Sequence, residues 1–262
     1  MKSLRHKEKA KDNGGWLLRQ SLRPGSALRL FLIPPAGGSS LIFRGWEDAM
    51  PAGVDACAIQ LPGRGNRLFE TLFTRLDPLV RSLGQALLPD LDRPFAFFGH
   101  SMGALVAFEL SRFLRQVHGM EPEALFVSGG RAPHIPEGRR DYLLPDAEFI
   151  EELRRLDGTP AEILDNPEAL QLLLPIVRAD FEATQTYEYR EEPPLSRRIS
   201  AFGGSRDLTT PEELLHPWSG HTTGPFSLHM LPGGHFFIEE SRAQLLAIIT
   251  SELCGILEPS ET

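Results

Sequence analysis

The chain has 262 residues, of which 41% are hydrophobic and 24% are charged, and its formal net charge at pH 7 is -8. This length suits a single domain with a substantial core, and the negative charge argues against nucleic acid as a partner. No apolar stretch is long enough to cross a membrane, so we expect no membrane partner. Cys57 and Cys254 lack metal-ligand spacing and are expected to be buried, reduced thiols, so no metal site is predicted.

The first segment, residues 1–15, is polar and basic and holds no apolar run of the signal-peptide type. We expect it to be a disordered tail on a cytoplasmic protein. Strand-like and helix-like runs alternate over residues 16–132 and 195–258, which predicts an α/β core with a mostly parallel sheet flanked by helices. The predicted strands are Leu28–Ile33, Asp55–Leu61, Phe95–Phe98, Ala124–Val127, Ile199–Phe202 and Leu228–Leu231.

A G-x-S-x-G pattern follows the third predicted strand: Gly99-His100-Ser101-Met102-Gly103. A helical pattern over residues 104–114 comes next and is predicted to end before Gly119. A serine oxygen that attacks a carbonyl must project from a tight turn between strand and helix, and the two glycines make room for that turn. The sequence therefore predicts Ser101 as a nucleophile. The alternative is a structural serine in a glycine-rich turn.

A nucleophilic serine needs a base and an acid that orients it, and in α/β-hydrolases the chain order is Ser, acid, His. Asp207 follows a predicted strand and a glycine turn, and His235 lies in the loop beyond the last predicted strand. Both come after the carboxyl end of a strand, where open α/β sheets gather functional groups. His235 is therefore predicted as the base. The competing histidines are less suitable. His6 lies in the tail, His100 in the turn beside Ser101, His118 near a helix end and His229 in a strand. The others lie in loop-like stretches: His134, His216 and His221.

An oxyanion that forms on the substrate needs two hydrogen-bond donors. One predicted donor is the backbone N–H of Met102, at the start of the helix after Ser101. The other is expected from the loop after the first predicted strand. Pro34 and Pro35 have no N–H, so Ala36 is the first residue there that can donate. The alternative for this loop is an ordinary Pro-Gly turn.

Residues 133–194 carry helical patterns over 146–156 and 166–180 and no convincing strand. An all-helical insertion between two strands is typical of a lid, which would cover the serine and shape an acyl pocket.

Two interpretations stay open for Arg64 and Arg67, which follow the second predicted strand at the same edge of the sheet. They either steer an anionic substrate or partner to the site, or they belong to the solvated surface.

Motifs spread over the chain resemble those of the stand-alone type II thioesterases of polyketide and nonribosomal peptide pathways, which belong to the α/β-hydrolase superfamily. The matching segments are residues 33–38, 60–67, 98–104, 131–133, 156–160, 174–181 and 233–237. The resemblance implies a serine thioesterase that removes stalled acyl groups from acyl or peptidyl carrier proteins. It also implies a monomer without a cofactor, because the substrate itself carries phosphopantetheine.

In that family the catalytic acid follows the later strand, which matches Asp207. Integrated chain-terminating thioesterases often carry it one strand earlier, where this chain has no carboxylate. Two positions depart from the family pattern: Pro35 replaces a frequent aromatic residue or histidine, and Gly65 replaces a frequent acidic residue. These two departures leave open which acyl groups the protein would prefer.

Two other functions stay open. One is a small-molecule carboxylesterase or acyl-CoA hydrolase that uses the same three side chains. The other is a non-catalytic protein that only binds carrier proteins, which the complete set of Ser101, Asp207 and His235 disfavours.

Overall fold

The computed structural model describes residues 14–18 and 25–258. Its sheet has seven strands in the order β1-β3-β2-β4-β5-β6-β7, and β1 alone runs antiparallel to its neighbour. The strands are β1 (Leu17–Leu18), β2 (Leu28–Ile33), β3 (Val54–Ile59), β4 (Phe95–His100), β5 (Ala124–Ser128), β6 (Arg198–Gly204) and β7 (Phe226–Leu231). The predicted tail lies outside the described residues except for Gly14 and Gly15, which form a turn.

The described α-helices lie between and after these strands. They are α1 (Trp46–Ala49), α2 (Leu76–Leu87), α3 (Met102–His118), α4 (Asp146–Leu156), α5 (Ala161–Leu164), α6 (Pro167–Gln185), α7 (Glu212–Leu215), α8 (Phe237–Glu240) and α9 (Arg242–Leu257). The end of α3 agrees with the prediction, because Gly119 follows it in the left-handed conformation that ends many helices.

Helices cover both faces of the sheet, and the side chains of β2 show why. Phe31 and Ile33 belong to the core that packs against α2 and α3, whereas Leu30 and Leu32 belong to the core that packs against α1 and α9. All six residues of β2 are buried, as expected for a parallel strand with both faces covered. The predicted α/β fold with a mostly parallel sheet is thus confirmed.

The strand order reverses at β2, which lies between β3 and β4. The connections beyond β2 and β4 therefore diverge and leave a crevice at the carboxyl edge of the sheet. Ile33 at the end of β2 pairs with Gly99 near the end of β4. This register brings the loop of residues 34–38 beside the turn at Ser101.

Two details differ from the sequence analysis. The two-residue strand β1 was not predicted, because so short a segment has no measurable periodicity; Leu17 pairs with Ile59. Cys57 is buried in the core as expected, but Cys254 on α9 is only half-buried.

Residues 133–194 form an insertion between β5 and β6 that holds α4, α5 and α6 and no strand. A small core of its own stabilises it, with Phe149, Leu153, Leu164 and Val177 buried. Helix α6 begins after Asn166, whose side-chain oxygen accepts the N–H groups of Glu168 and Ala169 at 3.0 and 3.2 Å. That this helical insertion acts as a lid stays a prediction.

Candidate active site

The turn between β4 and α3 holds Ser101 in a conformation that side chains rarely adopt. Its φ is 55° and its ψ is -118°. A Cβ atom at Gly99 would clash with the carbonyl oxygen of Gly103, and a Cβ atom at Gly103 would clash with that of Ile33. The N–H of Ser101 donates to the carbonyl oxygen of Ser128 at 2.7 Å. The two glycines thus permit a strained turn that adjacent strands hold in place.

The structure brings the three predicted side chains together. Nε2 of His235 lies 3.0 Å from Oγ of Ser101, and Nδ1 lies 2.7 Å from Oδ2 of Asp207. The other Asp207 oxygen accepts the Thr209 N–H and hydroxyl at 2.8 and 2.6 Å and the Thr210 N–H at 3.2 Å. This is the geometry of a nucleophile, a base and an acid that orients the base.

Asp207 is held as a carboxylate. Burial raises its pKa, but the hydrogen bonds from His235 and Thr209 and the charge of His235 outweigh burial and lower the pKa to about 2. A permanent negative charge beside Nδ1 favours the tautomer of His235 whose Nε2 can accept a proton from Ser101.

The loops that carry Asp207 and His235 follow neighbouring strands, β6 and β7. They approach closely because Gly204 has no side chain: a Cβ atom there would clash with the carbonyl oxygens of Gly233 and Gly234. The Asp207 N–H donates to the Gly204 carbonyl oxygen at 3.0 Å.

His100 is fully buried against His235, with 5.3 Å between the ring centroids. Its Nδ1 lies 3.0 Å from Oγ of Ser128. Burial lowers the pKa of His100 well below its ordinary value, and the nearby charge of His235 lowers it further. A neutral ring there packs against His235. His100 thus lies in the turn, as predicted, and it does not contact Oγ of Ser101.

The other histidines in the described residues make no hydrogen bond with Ser101. His118 lies in the last turn of α3, and His229 stacks on Phe202 in the sheet. His216 and His221 lie in a 3-10 helix over residues 216–221, rather than in a loop. Nε2 of His221 lies 2.7 Å from Nδ1 of His134, and burial lowers the pKa of His221 to about 4. His6 lies outside the described residues.

Two of the three N–H groups in the loop after β2 are already bound within the protein. The N–H of Gly37 donates to Oδ2 of Asp180 at 2.8 Å, and that of Gly38 donates to the carbonyl oxygen of Pro35 at 3.0 Å. Among residues 34–38, Ala36 therefore has the N–H that can serve a substrate, since the prolines have none. Ala36 and Met102 both border the cavity that contains Ser101.

Two cavities meet at Ser101, one of about 500 Å³ and one of about 100 Å³. Ala36, Ser101 and His235 border both cavities, and the insertion adds Leu156 and Phe181 to both walls. The larger cavity can enclose an acyl group of small-molecule size.

The larger cavity has a polar wall that sequence reasoning missed. It is lined by Arg131, Glu137, Arg139, Tyr187 and Tyr189, among other residues. Nη2 of Arg131 lies 3.1 Å from Oε1 of Glu137, so this pair faces the site partly neutralised. The position of Arg131 soon after β5 was the one available signal, but only the fold of the insertion brings the rest of the wall together.

Both interpretations of Arg64 and Arg67, as steering cations or as solvated surface, assumed exposed side chains and are wrong on that point. Both side chains are buried. Arg64 donates to the carbonyl oxygens of Gly38 and Pro62 at 2.9 and 2.7 Å and pairs with Asp180. Arg67 donates to Glu70 at 2.8 Å and lies over the Trp16 ring at 3.8 Å. Their donors are occupied within the chain, so neither guanidinium is presented to a carrier protein.

In the described part of the chain, no three His, Cys, Asp or Glu side chains are grouped so that they could hold a metal ion. The same residues include no helix with the length and apolar character needed to span a membrane.

The family model described as "Thioesterase domain" matches residues 28–253. The chain belongs to the thioesterase family. It is 42% identical over 245 residues to the gramicidin S biosynthesis protein GrsT of Aneurinibacillus migulanus, with 93% of this chain and 96% of the relative covered. The solved structure of the type II thioesterase BorB from the borrelidin biosynthetic cluster is 36% identical, with a TM-score of 0.84 and with 94% and 99% of the two chains covered. The resemblance drawn from the sequence is confirmed, and the chain is a serine thioesterase.

Another relative carries a name of a different kind. The chain is 47% identical over 246 residues to linear gramicidin dehydrogenase LgrE of Brevibacillus parabrevis, with 92% of this chain and 94% of the relative covered. Hydride transfer requires a group that donates or accepts a hydride, and Ser101, His235 and Asp207 are instead the groups of acyl transfer. The site geometry therefore agrees with the family model rather than with that name.

Proposed function

We propose that this thioesterase hydrolyses acyl thioesters on the phosphopantetheine thiol of carrier proteins, and so clears stalled groups from a polyketide or nonribosomal peptide assembly line. The observation that carries the chemistry is the contact of His235 with both Ser101 and Asp207, at 3.0 and 2.7 Å. The kinship with a gramicidin S biosynthesis protein and a borrelidin-cluster thioesterase supports the pathway class. In this proposal the enzyme is a cytoplasmic monomer.

The first half of the reaction forms an acyl-enzyme. Oγ of Ser101 attacks the thioester carbonyl while Nε2 of His235 takes the hydroxyl proton, and Asp207 stabilises the imidazolium. The oxyanion of the tetrahedral intermediate accepts the N–H groups of Ala36 and Met102. When the intermediate collapses, the C–S bond breaks and His235 gives its proton to the departing pantetheine thiolate.

The second half releases the acid. His235 takes a proton from a water molecule that attacks the acyl-serine carbonyl, and the same two N–H groups bind the second oxyanion. Collapse breaks the C–O bond to Ser101, which recovers its proton from His235. The proposed reaction consumes one water and uses no metal and no bound cofactor.

The decisive experiment compares one short acyl group on three leaving groups: a phosphopantetheinylated carrier protein, coenzyme A and a simple oxygen ester. We expect the highest kcat/KM for the carrier-bound thioester. Equal or faster turnover of the oxygen ester would contradict the editing role and make the protein a general esterase. Fastest turnover of the coenzyme A thioester would instead indicate an acyl-CoA hydrolase.

Ser101→Ala is the control in all three assays. We expect it to lower kcat by roughly 10⁴-fold or more, since the nucleophile of such a set is indispensable. The substitution removes one oxygen, whose hydrogen bond is with Nε2 of His235, so the unfolding midpoint should stay close to that of the unaltered protein. Retained turnover would show that Ser101 is not the nucleophile.

A further inference from the structure

Helix α6 of the insertion contacts the loop that carries Ala36. A Cβ atom at Gly37 would clash with the Val177 side chain of α6, so the loop approaches the helix as closely as a glycine allows. Gly37 has a φ of 69°, in the left-handed region that favours glycine. One turn further along α6, Oδ2 of Asp180 accepts the N–H of Gly37 at 2.8 Å.

Asp180 also connects this loop to a second one. The oxygen that accepts the Gly37 N–H pairs with the Arg64 guanidinium, which donates to the Gly38 carbonyl oxygen at 2.9 Å. The side chains of Asp180 and Arg64 are 8% and 7% exposed, so solvent screens this pair little. Gly37 and Gly38 are thus each held by a hydrogen bond, the first to Asp180 and the second to Arg64.

The contact has a direct effect on Ala36. Asp180 holds the peptide plane between Ala36 and Gly37 through the Gly37 N–H, and Arg64 holds the plane between Gly38 and Ser39 through the Gly38 carbonyl oxygen. The Ala36 N–H lies in the plane between Pro35 and Ala36, whose carbonyl oxygen accepts the Gly38 N–H at 3.0 Å. With these planes fixed, the Ala36 N–H at the border of the cavity is held in one orientation. An oxyanion hole works only when its donors are fixed before the charge develops.

We propose that Asp180 is a positioning residue for the oxyanion hole, so that the chemical step is fast only while helix α6 is seated on the loop of residues 34–38. This inference rests on the proposed function, because it assigns the Ala36 N–H to the oxyanion. It gives the insertion a part in the rate of the chemistry besides its part in shaping the pocket.

Burial raises the pKa of the Asp180 carboxyl, while Arg64 and the Gly37 N–H lower it and only partly offset burial. Displacement of α6 would take the Asp180 carboxylate away from Arg64, and a buried guanidinium without its partner is costly. This cost favours the seated arrangement.

The test uses the hexanoyl thioester of N-acetylcysteamine, which reports the chemistry without any carrier protein. For Asp180→Ala we expect kcat to fall by about 10- to 100-fold with KM within about 3-fold. A displacement of the Ala36 N–H by about 1 Å can lower the rate by about 100-fold. The inhibition constant of phenylboronic acid, which forms a tetrahedral adduct with an active serine, should rise in parallel with the loss of kcat.

Two variants separate positioning from loss of structure. Asp180→Asn keeps an oxygen that accepts the Gly37 N–H and should retain kcat within about 10-fold. Asp146→Asn removes another carboxylate of the insertion that pairs with an arginine, Arg178, at 2.7 Å but touches no part of the loop. We expect this matched control to leave kcat unchanged.

If Asp180→Ala does not fold, the double variant Arg64→Met with Asp180→Leu removes the pair without leaving an unpaired charge. It should fold and show the same loss of kcat and of boronic acid affinity. A kcat within about 3-fold of the unaltered enzyme, or a loss of kcat with unchanged boronic acid affinity, would overturn the proposal. Failure of the proposed function has a different signature, namely turnover that persists in Ser101→Ala.

Discussion

The carboxyl edge of the sheet and the helical insertion are stabilised in different ways. At the sheet edge, Ser101 is held by backbone contacts so close that Gly99 and Gly103 admit no side chain. In the insertion, many polar contacts are ion pairs at the surface, such as Arg154 with Asp165, whose side chains are 34% and 66% exposed. From this difference we expect the reaction to depend on the rigid region; that the insertion selects the acyl group stays a prediction.

The largest expected effect comes from the rigid region. Asp207→Asn should lower kcat/KM by roughly 10⁴-fold, because an amide beside Nδ1 favours the wrong tautomer of His235. Steady-state kinetics on an acyl thioester measure this loss. Asp77→Asn is the control: it alters an exposed aspartate that pairs with Arg81 at 3.0 Å on α2 and should leave kcat/KM unchanged. A loss below 10-fold for Asp207→Asn would contradict the assigned role.

The same carboxylate predicts a pH dependence of stability. The pKa of Asp207 is about 2 in the folded protein, below its ordinary value of 3.8. The ionised carboxylate therefore adds about 2 kcal/mol to the free energy of unfolding. This stabilisation is fully present above about pH 4 and is lost as the pH falls towards 2. The difference in unfolding free energy between the unaltered protein and Asp207→Asn should shrink over that range. A constant difference would show that the carboxylate is not selectively stabilised.

A pair of glycine substitutions tests the rigidity of the sheet edge. Gly103→Ala should destabilise the protein by about 2–3 kcal/mol, because the new Cβ meets the Ile33 carbonyl oxygen. Gly255→Ala makes the same change in α9, where a Cβ atom meets nothing within 4 Å, and should stabilise by up to about 1 kcal/mol. Urea unfolding measures both. Equal effects would mean that the turn at Ser101 is not tightly packed.

A substitution at the acyl pocket wall of the insertion, unlike one at Asp180, should change selectivity more than rate. Phe181 borders both cavities and packs against Phe149 with ring centroids 5.2 Å apart. Phe181→Ala should raise kcat/KM for long acyl groups relative to short ones by about 10-fold, the scale at which apolar pockets discriminate. Leu172→Ala, at a side chain of α6 that is 62% exposed, is the control. An unchanged ratio would place the acyl group elsewhere.

The smallest effect is expected at the surface of the insertion. Nη2 of Arg154 lies 2.5 Å from Oδ1 of Asp165 across an exposed pair. Arg154→Gln should change the free energy of unfolding by less than about 1 kcal/mol, and less again in high salt. A larger loss in urea unfolding would show that the insertion depends on its ion pairs.

The sequence predicts which side chains meet at the candidate site, because each of them has strict local requirements. The turn at Ser101 needs glycines two positions away on either side, and Asp207 and His235 each follow a strand at the same edge of the sheet. Pro34 and Pro35 have no N–H, so Ala36 is likewise the first possible donor of its loop. These requirements concern the local backbone, so they are visible in a short stretch of sequence.

Contacts between residues that lie far apart in the chain produce no such local pattern. Arg64 resembles a solvated or steering cation because its carboxylate partner, Asp180, lies 116 residues further along the chain. The polar wall of the larger cavity depends in the same way on how the insertion folds over the sheet. Strand β1 was missed for a simpler reason, since two residues carry no periodicity.

The most direct test of the central claim is to look for the acyl group on the enzyme. The protein is mixed with an acyl-carrier thioester, quenched within one turnover, digested and mapped by mass spectrometry. Covalent catalysis predicts an added acyl mass on the peptide that contains Ser101, with a decay rate at least as fast as kcat. A stoichiometric burst of free thiol with no acyl group on Ser101, or an acyl group on another residue, would contradict it.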